Sequence, residues 1–269
     1  MTHLEWRKLP QGWLAWNATT MNVIAGVGAS YMRPWLYPFY TPAGRQTLQE
    51  FAFDHPFHNG LFIGIHPVEC EGVIHNFWAT PPQRAADDEF MNGLGRIELC
   101  GDPVLSSENG VLHAQFEHAW MGFNSDVIFT ERRSYKIFVN ERGHHVTMSA
   151  QMTAARDVRI PQTKFAGVGI RLDPRLTKTA GGRFICQHGA GGAAVAHGKP
   201  IDQLSAEAEG QNGFGLSIAS SIHNGPWFVR DYGLVLLNPA TEGAIEMKAG
   251  ERLRFGVTLN AYDLEKSLI

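Results

Sequence analysis

In Val146-Thr147-Met148-Ser149-Ala150-Gln151-Met152-Thr153 every second side chain is apolar and those between are polar. A period of two puts alternate residues on opposite sides of an extended chain, so the stretch reads as a strand with one face buried and one in water. Leu112-His113-Ala114-Gln115-Phe116-Glu117 repeats the pattern, and Leu253, Phe255, Val257 and Leu259 do so against Arg252, Arg254, Thr258 and Asn260. Glu108-Asn109-Gly110 and Glu141-Arg142-Gly143 stand before the first two strands as hairpin turns, because Asn and Gly accept the left-handed backbone such turns require. With 29 glycines and 14 prolines in 269 residues, turns are frequent throughout. Helical periodicity is confined to a turn or two at 202–209 and a short tail at 262–269. The expected fold is all-β, a large antiparallel β-sandwich forming one domain over residues 1–269. Residues 37–44 read as a proline-fixed loop, and 79–93 and the Gly-rich 181–198 as longer loops.

Composition narrows the function classes. Charged residues are only 18% of the chain and the net charge is −3, so neither a nucleic-acid partner nor a membrane surface is expected. The longest apolar runs are a few residues, far too short to span a bilayer. The N-terminus does not read as a secretory signal, and Cys70, Cys100 and Cys186 are odd in number and widely spaced. They read as free thiols in a reducing compartment, which points to a cytoplasmic protein. A homo-oligomer is compatible with all of this.

Twelve histidines are the unusual feature. The densest segment is Asp54-His55-Pro56-Phe57-His58-Asn59-Gly60, just before an apolar strand at 61–65. Two imidazoles three residues apart beside a carboxylate can bind a divalent metal, act as general acid and base, or hydrogen-bond a polar ligand. The same spacing also suits two histidines satisfied by local backbone groups. His75-Asn76-Phe77-Trp78 combines a titratable ring with an indole that can stack on a sugar, or simply close the core. Arg33, within an aromatic and proline-rich stretch, can clamp an anion. Glu131-Arg132-Arg133 interrupts a strand-like segment, either as a solvated face or as pocket lining, and Arg171 at the end of another strand has the same two readings. His223, Trp227, Arg230 and Tyr232 form the last such group. No nucleophile elbow, P-loop, dinucleotide fingerprint or HExxH zinc motif occurs.

Taken together, Arg33-Pro34, Tyr37-Pro38, Thr41-Pro42-Ala43-Gly44, Asp54-His55-Pro56-x-His58-x-Gly60-Leu61, Phe77-Trp78, Glu131-Arg132 and Trp227-x-x-Arg230-x-Tyr232-Gly233 resemble the bacterial "methane oxygenase PmoA-like" family, a DUF6807-type domain of unknown function. The resemblance runs from about Tyr31 to the end, and Asp-His-Pro-x-His is its most specific part. The family commonly has His or Arg where this chain has Phe57 and Asn59. It implies a galactose-mutarotase-like supersandwich and a link to sugar metabolism. The membrane activity in the family's label does not carry over, since this chain has no bilayer-spanning stretch.

The leading functional expectation is an enzyme acting on a carbohydrate or other polyhydroxylated small molecule through His-based acid/base chemistry: elimination, hydrolysis or epimerisation. His55, His58, Asp54, His75, Glu131 and His223 are the catalytic candidates. Arg33, Trp78, Arg171, Trp227, Arg230 and Tyr232 are the substrate-binding candidates. Two alternatives stand beside it. One is a non-catalytic sugar-binding module. The other is a metal-dependent oxygenase or hydrolase of an aromatic compound, with His55, His58 and Glu131 as ligands to a divalent metal such as iron.

Overall fold

The computed structural model describes residues 2–28, 32–80, 92–220 and 222–264. Its long strands are the ones with the clearest alternation. The larger sheet runs, in spatial order, β16 (Gly189–Gly191), β15 (Arg183–Cys186), β17 (Gln203–Ala208), β18 (Phe214–Ala219), β22 (Arg252–Asp263), β12 (Gly143–Ala154), β11 (Val127–Asn140), β10 (Val111–Met121) and β8 (Arg96–Leu99), with β9 (Val104–Glu108) also paired to β10. The second sheet runs β1 (Leu4–Leu9), β2 (Gly12–Asn17), β3 (Asn22–Gly28), β4 (Trp35–Phe39), β5 (Leu61–His66), β14 (Phe165–Arg171), β20 (Leu234–Leu237) and β19 (Trp227–Val229). A small third sheet joins β21 (Ile245–Met247), β13 (Val158–Ile160), β6 (Val68–Cys70) and β7 (Val73–His75). The strand pairs within these sheets are antiparallel, as the alternating pattern requires of sheets with one wet face.

The core lies between the two large sheets. Leu112, Ala114 and Phe116 of β10 and Val146, Met148 and Ala150 of β12 meet Ile63 and Ile65 of β5 and Val168 and Ile170 of β14 in one buried cluster. Trp13 on β2 packs edge-on against Phe116, with ring centroids 5.3 Å apart, and so ties the sheets together. The smaller sheet also has an apolar outer face. Phe62, Leu234 and Leu236 point away from the main core and form a second buried cluster with Trp78, flanked by Trp35, Phe57, Phe165, Phe228 and Tyr232.

Three expectations are corrected. Residues 202–209 are not a helix: Gln203–Ala208 is a strand paired on one side with β15 and on the other with β18, and Leu204 and Ala206 are fully buried by that pairing. The expected tail helix is strand through Asp263, and 265–269 lie outside the described residues. The Gly-rich stretch 181–198 is a short hairpin followed by a single 3-10 turn at Ala193–Val195. The proline-rich stretch 37–44 begins as the end of β4, which pairs with β5 only through Trp35 and Leu36. Most of the polar loop expected at 79–93 lies outside the described residues. Among the described residues no helix is long and apolar enough to cross a membrane. Cys70, Cys100 and Cys186 are free.

Candidate functional site

The outer face of the eight-stranded sheet carries the site because two of its strands present glycine there. On β14 the inward residues are Ala166, Val168 and Ile170, and the outward ones include Gly167 and Gly169. A Cβ on Gly169 would lie 2.3 Å from the Phe62 ring, so this position has to be glycine for that ring to lie across it. A Cβ on Gly64 of β5 would similarly press on Arg33 and Trp78 at 3.0 and 3.1 Å. On this floor Phe62 begins a column of parallel rings. His58 stacks on it with centroids 5.9 Å apart, His55 stacks on His58 at 4.9 Å, and Tyr232 stacks on His55 at 4.9 Å. Trp78 meets both His58 and Phe62 edge-on. A guanidinium closes each end, Arg33 over Phe62 at 4.0 Å and Arg171 over Tyr232 at 4.9 Å.

The loop carrying the two histidines is fixed from several strands. Gln49 donates its N–H to the Arg171 carbonyl, Gly60 to that of Gln49, and Arg171 to that of Gly60. Phe51 N–H donates to the Asn59 side chain, and Arg33 donates to the carbonyls of Phe57 and Trp78. Gly60 has a φ of +52°, and a Cβ there would lie 2.1 Å from the Leu36 carbonyl oxygen, so only glycine admits the turn into β5.

A hydrogen-bonded chain runs through the site. Arg171 donates to Asp54 Oδ1 at 2.5 Å, and Asp54 Oδ2 accepts from His55 Nδ1 at 2.8 Å. Partial burial would raise the Asp54 carboxyl, but bonds from His55 and Arg171 and the charge of Arg171 outweigh it and hold the group below the ordinary carboxylate value. The carboxylate is therefore ionised at neutral pH and fixes the proton of His55 on Nδ1, which leaves Nε2 as the basic nitrogen. The His55 side chain is 36% exposed. His58 is the opposite case. Burial, then the charges of His55, Arg33 and Arg171, drive it well below the ordinary histidine value, and it is neutral at pH 7. Burial raises the Tyr232 phenol, so it keeps its proton and remains a donor.

Buried polar groups in folded proteins nearly always find partners. Here both ring nitrogens of His58, Nε1 of Trp78 and Nη1 of Arg171 are buried without a hydrogen-bond partner among the described residues, and all four belong to this one cluster. Leaving such a group unmatched costs about 1–3 kcal/mol.

Of the expected site residues, the structure gathers Arg33, Asp54, His55, His58, Trp78, Arg171 and Tyr232, with Arg230 beside them over Phe228 at 4.1 Å. Four others lie elsewhere. Glu131 faces the inter-sheet core on β11, where Arg133 and the Trp120 indole bond to it. Burial would raise its carboxyl, but Arg133 reverses that and keeps it ionised. His75 is buried on β7, and its Nδ1 accepts from the Phe123 N–H at 3.1 Å. His223 donates from Nε2 to the Pro226 carbonyl at 3.3 Å, steadying its own turn. Trp227 shares the inward face of β19 with Val229 and is a core residue, not a wall of the site.

The expected metal triad of His55, His58 and Glu131 is not assembled. Glu131 is committed to Arg133, and the two imidazoles are stacked with planes 7° apart, so their in-plane lone pairs run side by side instead of converging on one ion. No group of three His, Cys, Asp or Glu among the described residues is placed to hold a metal.

Sequence reasoning passed over Phe62, Gly64 and Gly169. A trace of Gly169 lies in β14 (Phe165–Arg171), where Gly167 and Gly169 alternate with Val168 and Ile170.

Solved structures similar to this chain include a galactose mutarotase-like protein from Lactobacillus casei, at 7% identity and a TM-score of 0.47, covering 96% of this chain and 100% of that one. Another is a galactose 1-epimerase from Lactobacillus acidophilus, at 8% identity and a TM-score of 0.47, covering 98% of this chain and 100% of that one. No curated protein matches the sequence. A family model matches residues 25–267, from β3 to beyond the last strand, and includes every residue of the site just described. The chain belongs to the family of unknown function DUF6807.

Proposed function

We propose that this protein is an enzyme of proton-transfer chemistry on a carbohydrate or similar polyhydroxylated small molecule. What carries the reading is the chain Arg171–Asp54–His55, which ends on a partly exposed imidazole beside buried polar atoms that have no partner among the described residues. His55 Nε2 takes a proton from a substrate hydroxyl or acidified C–H. Asp54 holds the ring in its productive tautomer and stabilises the imidazolium that forms. The same nitrogen then returns the proton to the departing or newly formed oxygen. The protonated Tyr232 phenol serves as a hydrogen-bonding group for hydroxyls, and His58, kept neutral by burial, backs the His55 ring. The partly buried rings of Phe57 and Tyr232 supply apolar surface for a sugar ring.

The test is turnover of a panel of aldoses and glycosides, followed by NMR for anomeric exchange, epimerisation and bond cleavage, with His55→Ala and His58→Ala beside the wild type. The expected outcome is one substrate class converted by wild type and slowed about a hundredfold or more by His55→Ala. Unchanged turnover in both variants rejects the assignment. Binding of a sugar with no product in any assay makes the protein a binding module instead.

A further inference from the structure

Beside the acid/base pair lies a second polar group that the reaction just described does not use. His197 Nδ1 accepts the backbone N–H of Val229 at 3.2 Å. A neutral imidazole carries one proton, so this bond places it on Nε2 and makes that nitrogen a donor. Nη1 of Arg230, also only a donor, stands 3.5 Å from it. Two donors thus converge with no acceptor between them. The Arg230 guanidinium also lies over the Phe228 ring, and it makes no ion pair with a carboxylate among the described residues. Arg171, over the Tyr232 ring at 4.9 Å, pairs with Asp54, which also bonds His55, and its Nη1 has no hydrogen-bond partner among the described residues. Of the two guanidinium groups near this phenol, Arg171 alone has a carboxylate partner among the described residues. The neighbouring carboxylate, Asp231, accepts the Ala193 N–H at 2.6 Å.

We infer that His197 and Arg230 form a carboxylate-binding subsite, and that the substrate of the neighbouring His55 centre is a sugar acid, a uronate or aldonate, whose carboxylate oxygen sits between the two donors. This rests on the proposed acid/base reading for the reaction but not for the binding. A carboxylate oxygen turns the donor–donor contact into two charge-assisted hydrogen bonds and supplies the missing negative charge, and the guanidinium fork of Arg230 matches carboxylate geometry.

The experiment is calorimetric titration of the full chain with glucuronate, galacturonate, gluconate, glucose, acetate and inorganic phosphate, for wild type, Arg230→Gln, Arg230→Lys and His55→Ala. At least one sugar acid is expected to bind at least about tenfold more tightly than glucose, an advantage lost in Arg230→Gln, partly kept in Arg230→Lys and intact in His55→Ala. Equal affinity for sugar acids and glucose overturns the inference, as does an Arg230→Gln protein that binds like wild type. Phosphate binding as tightly as the best sugar acid overturns it too, in favour of a phosphate site. The two proposals fail separately. Arg230-dependent binding without His55-dependent turnover leaves the subsite standing and removes the reaction, whereas His55-dependent turnover of neutral sugars alone does the reverse.

Discussion

Below pH 6.5 the folded protein is expected to lose stability, and His118 contributes a defined share of that slope. This ring lies on β10 at 4% exposure, stacked on Phe116, and burial together with the Arg133 charge lowers its pKa from 6.5 to about 4, against a smaller opposing pull from Glu131. Above 6.5 the ring is neutral both folded and unfolded, and its contribution is fully present. Between 6.5 and about 4 the unfolded chain takes up a proton that the folded one refuses, so stability falls as the medium acidifies and levels off below the folded value. At about 1.4 kcal/mol per pH unit, this one residue accounts for a loss of about 3 kcal/mol, a large share of the 5–15 kcal/mol typical of a folded domain. The measurement is urea unfolding at several pH values from about 7.5 to about 4.5, comparing wild type with His118→Phe. Phenylalanine keeps the stacking, has no proton to bind, and abuts a small cavity lined in part by Trp13, Phe116 and Tyr135. The variant should show a flatter dependence by about one proton in this window, whatever its stability at neutral pH. A His118→Phe slope equal to wild type would refute the argument and move the acid sensitivity to other buried rings such as His58.

Three further outcomes follow from the packing. Gly169→Ala brings a methyl group to 2.3 Å from the Phe62 ring and should cost about 1–3 kcal/mol in urea unfolding, while displacing His58 and weakening ligand binding. Glu131→Gln leaves Arg133 charged and fully buried opposite a neutral amide, and a loss of about 3–5 kcal/mol is expected, with no effect specific to the sugar site. Asp54→Asn takes the carboxylate away from the buried Arg171 and should cost about 1–3 kcal/mol in urea unfolding, while lowering kcat by about a hundredfold or more, since the amide no longer fixes the His55 tautomer; a near-normal kcat would remove Asp54 from the mechanism.

The parts of the fold that could be read in advance are those whose physics is local. β10, β12 and β22 are long, half-buried and bordered by partners on both sides, so their alternation is unbroken. β17 reads as helix because Leu, Ala and Glu favour helix intrinsically, and pairing with β15 and β18 overrides that preference. Most of the site was legible because titratable and aromatic side chains beside Gly and Pro stand out in a chain with few charges. The misplacements share a cause: phase. Glu131 falls in step with Phe129, Tyr135 and Ile137, and Trp227 with Val229, so both face the inter-sheet core. That phase was visible in the sequence, but which phase faces the core is settled only by the partner sheet. His197 left no trace, because its role depends on a backbone N–H thirty-two residues away.

The anchoring of the 50–59 segment bears on how such a protein can change over generations. Ordinarily the connection between two strands is the part of a fold free to vary. Here its backbone is tied to Arg33 through the Phe57 carbonyl and to the Asn59 side chain through the Phe51 N–H, and its Asp54 side chain is tied to Arg171, so most replacements within it would undo several attachments together. Phe53 is the exception, 92% exposed at the crest of the segment. Divergence of ligand preference among relatives should therefore concentrate at that crest and at the strand ends around it, over an unaltered ring column.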